Sequence, residues 1–248
     1  MSRVQRRVTA VVLCAALAGG LAGPVAAASA QEANDRRVIA TSPQGREIVA
    51  RHYGSADAPV QLVVIGQMHG DEPGGRDVAA RLATRRIPDG VGLWILPTIN
   101  PDGDRAGTRG NAHRVDLNRN FPVGWRPADE DGTLSSGARA ASEPETRGVL
   151  RFLRAVDPAA VLSFHQAFDV VDITHLRSRA AGRQLARWMG ERAEPVDCSG
   201  PCRGTLTQWV DRELGAIALT VEMDRRVSPA EANRAAAAVL RLGTWLGG

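Results

Sequence analysis

Two histidines and two glutamates stand where apolar runs stop. In residues 63–75, VVIGQMHGDEPGG, an apolar run gives way to His69, and Glu72 follows three residues later. The run AAVLSF at 159–164 ends at His165, and AIALTV at 216–221 ends at Glu222. His69, Glu72 and His165 together supply two imidazoles and one carboxylate. That is the donor set of a catalytic zinc site, which keeps its fourth position for water. With no thiolate among the donors, such a metal stays Lewis-acidic and brings the pKa of its water toward neutrality. Glu222 is then a spare carboxylate, able to take that water's proton and hand it to a leaving amine.

His69 and His165 are 96 positions apart, and Glu222 lies 57 further on, so the fold must bring them together. The apolar runs at 61–67, 91–96, 159–164 and 216–221 are nearly continuous, as in strands buried on both faces. An alternating run at 46–53 adds an earlier strand. Helices are expected at 74–86, 179–190 and 229–246. Another starts after Ser142, with Glu145 three residues on completing a capping box; Glu143 and Glu145 are accordingly read as capping residues. Strands alternating with helices predict one α/β domain, with a mixed, largely parallel sheet and helices on both faces. In such sheets ligand sites gather beyond the carboxyl ends of the strands, where all three strand-end residues would meet. The glycines after His69 are expected to let the backbone turn sharply and return Glu72 to it. The stretch 97–137, rich in Gly, Asn, Arg and Pro, is long enough for a loop to suggest function. His52, His113 and His175 have no comparable setting and are read as surface or loop residues.

Residues 1–30 carry Arg3, Arg6 and Arg7, then an apolar stretch, then Ala28-Ser29-Ala30. This is the pattern of a secretory signal peptide cleaved near Ala30, and the apolar run is too short and too interrupted for a membrane span. The mature domain is 31–248, with 31–36 expected as a mobile new N-terminus. The whole chain has a net charge of +4, and every one of its 31 cationic residues is Arg. Without the three leader arginines the charge falls to +1, which argues against nucleic acid or an anionic membrane as partner. Cys198 and Cys202, in DCSGPCRG, are the two cysteines left. In an exported protein such a pair reads as a disulfide.

The segments HGDE, NPDG, RGNAHRVDLNRNFP, SEPET, SFH and TVEMD occur in this order. In order and context the chain resembles the carboxypeptidase A-like zinc carboxypeptidases, and among them the short murein peptide amidase A type. The resemblance runs from about Gly66 to the last helix. It implies an eight-stranded sheet, one zinc ion per chain held by His69, Glu72 and His165, and Glu222 as general base. It further implies that Arg109 polarises the scissile carbonyl and steadies the oxyanion, while Asn118 and Arg119 hold a substrate's terminal carboxylate. A guanidinium forks onto a carboxylate with two parallel hydrogen bonds, which suits Arg119 to that role.

The pattern also departs from the family. The larger digestive members carry a mobile Tyr some twenty residues before the catalytic Glu; this chain's one Tyr is Tyr53, and DCSGPCRG takes that region. Thr207 stands where the family's specificity residue stands, and a small polar group there argues against a purely aromatic preference. Arg114 replaces the Gly that usually precedes VDLNRN. The expected activity is hydrolysis of the amide next to a free C-terminal carboxylate by a secreted or wall-associated enzyme. Murein peptides, at the γ-D-glutamyl–diaminopimelate bond, are the candidate substrate. Two alternatives are a zinc amidohydrolase deacylating small N-acyl amino acids and a non-catalytic peptide-binding module on the same scaffold.

Overall fold

The computed structural model describes residues 33–127, 135–196 and 203–248. The leader and the Cys198–Cys202 pair lie outside the described residues.

Eight strands form one sheet: β1 (Asp35–Thr41), β2 (Glu47–Gly54), β3 (Val60–Ile65), β4 (Val91–Leu96), β5 (Ala160–Gln166), β6 (Val170–Asp172), β7 (Arg192–Glu194) and β8 (Ile217–Met223). Their spatial order is β1-β2-β4-β3-β5-β8-β6-β7. The central four, β4-β3-β5-β8, are parallel, whereas β2 joins β4 and β6 joins β8 antiparallel. The central strands are the continuous apolar runs of the sequence. Leu62, Val63, Val64 and Ile65 of β3 are fully buried, each contributing about 1.5–3 kcal/mol. That burial anchors the strand and lets its polar extension be placed accurately.

Among the described residues six α-helices complete the fold: α1 (Gly74–Leu82), α2 (Pro101–Ala106), α3 (Pro144–Val156), α4 (Arg179–Met189), α5 (Leu206–Trp209) and α6 (Pro229–Gly247). One hydrophobic core unites one sheet face with α1, α4 and α6, and a second unites the other face with α3 and α5. The expected α/β architecture with helices on both faces is what the chain adopts. Among the described residues no helix is long and apolar enough to cross a membrane.

Three local expectations are corrected. Asp35 and Arg36 are not a loose end: they pair with His52 and Arg51 at the start of β1. Helix α3 begins at Pro144 with Glu143 as N-cap and no side-chain cap bond. Ser142 donates instead to Oε1 of Glu143 at 2.7 Å, and the fully buried Glu145 accepts from Asn111 at 3.2 Å. His52 is buried, its ring 4.7 Å from that of Trp94 and its Nε2 3.3 Å from Oε1 of Gln61.

Candidate metal centre

The chain leaves β3 at Ile65 and runs through Gly66, Gln67 and Met68 to His69. A bond from Glu72 N–H to His69 O, 3.1 Å, closes the turn. Gly70 does not take up a left-handed conformation here. Its role is close approach: a Cβ on it would lie 2.0 Å from the carbonyl carbon of Gly103 in α2. The turn therefore seats directly on the α2 backbone, and the two side chains converge.

His165 arrives from another direction. It lies near the end of β5 and is the register partner of Glu222 on β8, with Ser163 opposite Thr220 two residues earlier. Strand alternation puts Ser163, His165, Thr220 and Glu222 on one face. Gln166 ties the edges together: its Oε1 accepts from Gly74 N–H at 2.8 Å, and its Nε2 donates to the carbonyls of Asp224 and Arg225.

His69, Glu72 and His165 meet as a buried cluster that can hold a metal ion. His69 Nδ1 is 2.8 Å from Glu72 Oε2, His165 Nδ1 is 3.0 Å from the same oxygen, and the two Nδ1 atoms are 3.1 Å apart. The outer ring nitrogens also have partners. Asp116 Oδ1 is 3.0 Å from His69 Nε2, and Ser163 Oγ is 3.0 Å from His165 Nε2. A proton on each Nε2 leaves both Nδ1 lone pairs and the carboxylate oxygen aimed at one point. A divalent cation with N and O ligands, supported by an outer carboxylate, is what such a donor set fits.

The electrostatics agree with that fit. Burial disfavours protonation of His69, yet its hydrogen bonds to Asp116 and Glu72 outweigh burial and raise its pKa to about 9. Burial likewise works against the ionised forms of Glu72 and Asp116, but the histidine hydrogen bonds hold both well below the usual carboxylate range. The site is thus built to keep positive charge between its carboxylates.

A cavity of about 290 Å³ opens beside the cluster, and Arg109, Asn118, Arg119, Thr207 and Glu222 all line it. Glu222 Oε2 is buried without a hydrogen-bond partner. Burial raises its pKa, Glu72 adds to the rise, and His165, His69 and Arg109 oppose it. Arg109 joins the cluster directly, donating from Nη1 to Glu72 Oε1 at 2.9 Å and from Nε to Asp116 Oδ2 at 3.0 Å. Asn118 accepts Leu206 N–H on Oδ1 at 3.1 Å, leaving its Nδ2 as a donor, and Arg119 Nη1 donates to Asn118 O at 2.9 Å. Arg114 has φ 58°, the left-handed conformation that glycine adopts without steric cost. The substitution therefore keeps the loop path.

Sequence reasoning assigned no role to Asp116 and Ser163, the outer partners of the two histidines. Their signals were position two before Asn118 in VDLNRN and two before His165 in SFH. His175, read as a surface or loop residue, lines the cavity with Nδ1 3.6 Å from Asp211 Oδ2. His113 is exposed and sits 2.7 Å from Glu143 Oε2.

The α/β sheet and the His-Glu-His cluster at the carboxyl ends of its strands define a metallohydrolase-type scaffold. The family model for zinc carboxypeptidases matches residues 27–181, and the chain belongs to that family. The matched segment includes His69, Glu72, Arg109, Asn118, Arg119 and His165; Thr207 and Glu222 lie beyond it. The chain is 35% identical over 124 residues to carboxypeptidase SOL1 of Arabidopsis thaliana, covering 45% of this chain and 24% of that protein. It is 32% identical over 146 residues to murein peptide amidase A of Escherichia coli K12, covering 53% of this chain and 57% of that one. It thus spans little more than half the length of these curated relatives at most. Among solved structures, murein-tripeptide amidase MpaA from Escherichia coli O157 superposes with a TM-score of 0.70 at 24% identity, covering 87% of this chain and 94% of that chain. Bovine thrombin-activatable fibrinolysis inhibitor superposes with a TM-score of 0.71 at 16% identity, over 86% of this chain and 90% of that one. Both likenesses establish the fold.

Proposed function

We propose that this chain is an exported zinc metallocarboxypeptidase, with one zinc per chain, that hydrolyses the amide preceding a free C-terminal carboxylate. The observation that carries the reading is the strand register pairing His165 with Glu222. It sets an unpartnered carboxylate beside the three-residue cluster, at the mouth of a cavity whose other wall is cationic.

His69, Glu72 and His165 would hold the zinc, which when bound supplies Lewis acidity toward the scissile carbonyl and a water of near-neutral pKa. The chain's own residues do the rest. Arg119 and the free Nδ2 of Asn118 bind the terminal carboxylate and so set which amide faces Glu222. The backbone carbonyl of Asn118 steadies the guanidinium of Arg119. Glu222 accepts a proton from the attacking water and returns it to the departing amine; its raised pKa suits a group that must do both. Arg109 keeps three of its five N–H donors beyond those given to Glu72 and Asp116, and turns them toward developing oxyanion charge.

The signal-like leader and the likeness to murein peptide amidase A favour wall peptides outside the cytoplasm. The test is zinc content together with hydrolysis of L-Ala–γ-D-Glu–diaminopimelate, ordinary C-terminal peptides and N-acyl amino acids. Cleavage confined to N-acyl amino acids would replace the reading by the amidohydrolase alternative. Stoichiometric zinc with no turnover of any substrate would leave only a binding module.

A further inference from the structure

Among the described residues, one carboxylate besides Glu72 and Glu222 lines the cavity: Asp172, the last residue of β6. One of its oxygens is fully committed. Oδ1 accepts the N–H of Thr174 at 2.8 Å, the hydroxyl of Thr174 at 2.6 Å and the N–H of Val196 at 3.0 Å. These three bonds fix the plane of the carboxylate. Among the described residues its Oδ2 makes no comparable bond, and no arginine or histidine forms an ion pair with Asp172.

The sheet decides which face carries that side chain. Strand β6 runs antiparallel to β8, with Val170 opposite Glu222 and Val171 opposite Val221. Alternation then puts Asp172 on the face that carries Glu222, two residues along the strand, roughly 7 Å away. Of the other cavity residues nearby, Thr205, Thr207 and Thr220 offer hydroxyls and no charge, and His175 faces a different carboxylate, with Nδ1 3.6 Å from Asp211 Oδ2. The cationic side chains Arg109 and Arg119 take the carboxylate and carbonyl end of a substrate. Among the described residues the cavity is therefore polarised, with cations at one wall and an oriented, half-buried anion at another.

We propose that Asp172 is the specificity-determining anion of this cavity, and that the terminal residue it admits carries an ammonium or guanidinium on its side chain. The inference rests on the metallocarboxypeptidase reading and names the substrate class for it. Thr207, the position singled out by the family resemblance, would then shape the pocket while Asp172 supplies its charge. An anion held in a partly desolvated site binds a cation more tightly than one at an open surface. The side chains of diaminopimelate, lysine and arginine all meet the requirement.

The experiment compares the zinc-loaded protein with its Asp172→Asn variant. Asn keeps the Oδ1 acceptor for Thr174 and Val196, so the fold is preserved while the charge is removed. Substrates are acylated peptides ending in lysine, arginine, diaminopimelate, norleucine, phenylalanine or glutamate. Norleucine is the neutral counterpart of lysine, and diaminopimelate separates wall peptides from protein-derived ones. Binding of free lysine and norleucine is measured by calorimetry, independently of turnover. The expected result is a preference in kcat/KM for lysine over norleucine of about 10- to 100-fold. Asp172→Asn abolishes it, changes the norleucine value less than about threefold, and mirrors the loss in calorimetry. Turnover without a preference for cations, or an equal loss on lysine and norleucine, overturns the proposal and leaves the carboxypeptidase reading intact. Asp172-dependent lysine binding without turnover keeps the site and removes that reading. Neither binding nor turnover removes both.

Discussion

Oδ1 of Asp116 lies 3.0 Å from Nε2 of His69, and Oδ2 of the same carboxylate accepts from Arg109 Nε at 3.0 Å. One side chain thus orients a metal-site imidazole and a cavity cation together. Replacing Asp116 by Asn keeps the shape but removes the charge that holds a proton on Nε2. Metal affinity should fall about 10- to 100-fold, measured by competition with a chromophoric chelator. Wild-type affinity in this variant would show that Asp116 does not set the tautomer.

Glu222→Gln should abolish turnover while retaining one zinc per chain. The metal-free variant should also melt higher than wild type at neutral pH. Burial raises the pKa of Glu222 in the fold. The stability linked to its proton is therefore present below the unfolded value near 4.5 and is lost as pH rises through the folded value. The gap in melting temperature should open as pH rises and close below about pH 4. A gap that is constant with pH contradicts the account.

Glu145 carries the same sign. Burial raises its pKa to about 7, and the nearby charges of Glu143 and Asp102 add to the rise against its hydrogen bond from Asn111. Its ionisation above pH 8 should cost the fold about 3 kcal/mol. Glu145→Gln keeps an acceptor for Asn111 and removes that loss. Thermal melts from pH 4.5 to 8.5 should diverge by about 2–4 °C for each kcal/mol relieved. Parallel curves would place the charge elsewhere.

Arg109→Ala should lower kcat about 10²- to 10³-fold, the loss of about 3–4 kcal/mol expected for one oxyanion donor. KM should move far less, and zinc should stay stoichiometric. Arg109→Lys should recover only part of the rate, because an ammonium cannot fork onto Glu72 and Asp116 together. A large KM effect with unchanged kcat would make Arg109 a ground-state binding residue instead.

The central strands and their helices were readable because continuous apolar runs and helical periodicity are local signals. β1, β6 and β7 were not. Strand β1 is largely exposed and polar, and β6 and β7 have three residues each, too few for alternation to register. The capping box drawn at Ser142 and Glu145 failed for a related reason. Asn111, 34 positions away from Glu145, offered that carboxylate a buried partner that no local pattern displays.

His69, Glu72, His165 and Glu222 announced themselves in the primary chain because each follows or closes an apolar run, and strand direction alone carries such residues to one end of a parallel sheet. Which groups stand behind them depended on contacts between distant segments. Asp116 reaches His69 across 47 positions, and the register of β6 on β8 turns Asp172 toward the cavity. A ligand's identity is written in its residue type and spacing. Its tautomer, its charge environment and the anion facing its substrate arise only when the folded chain sets one loop against another.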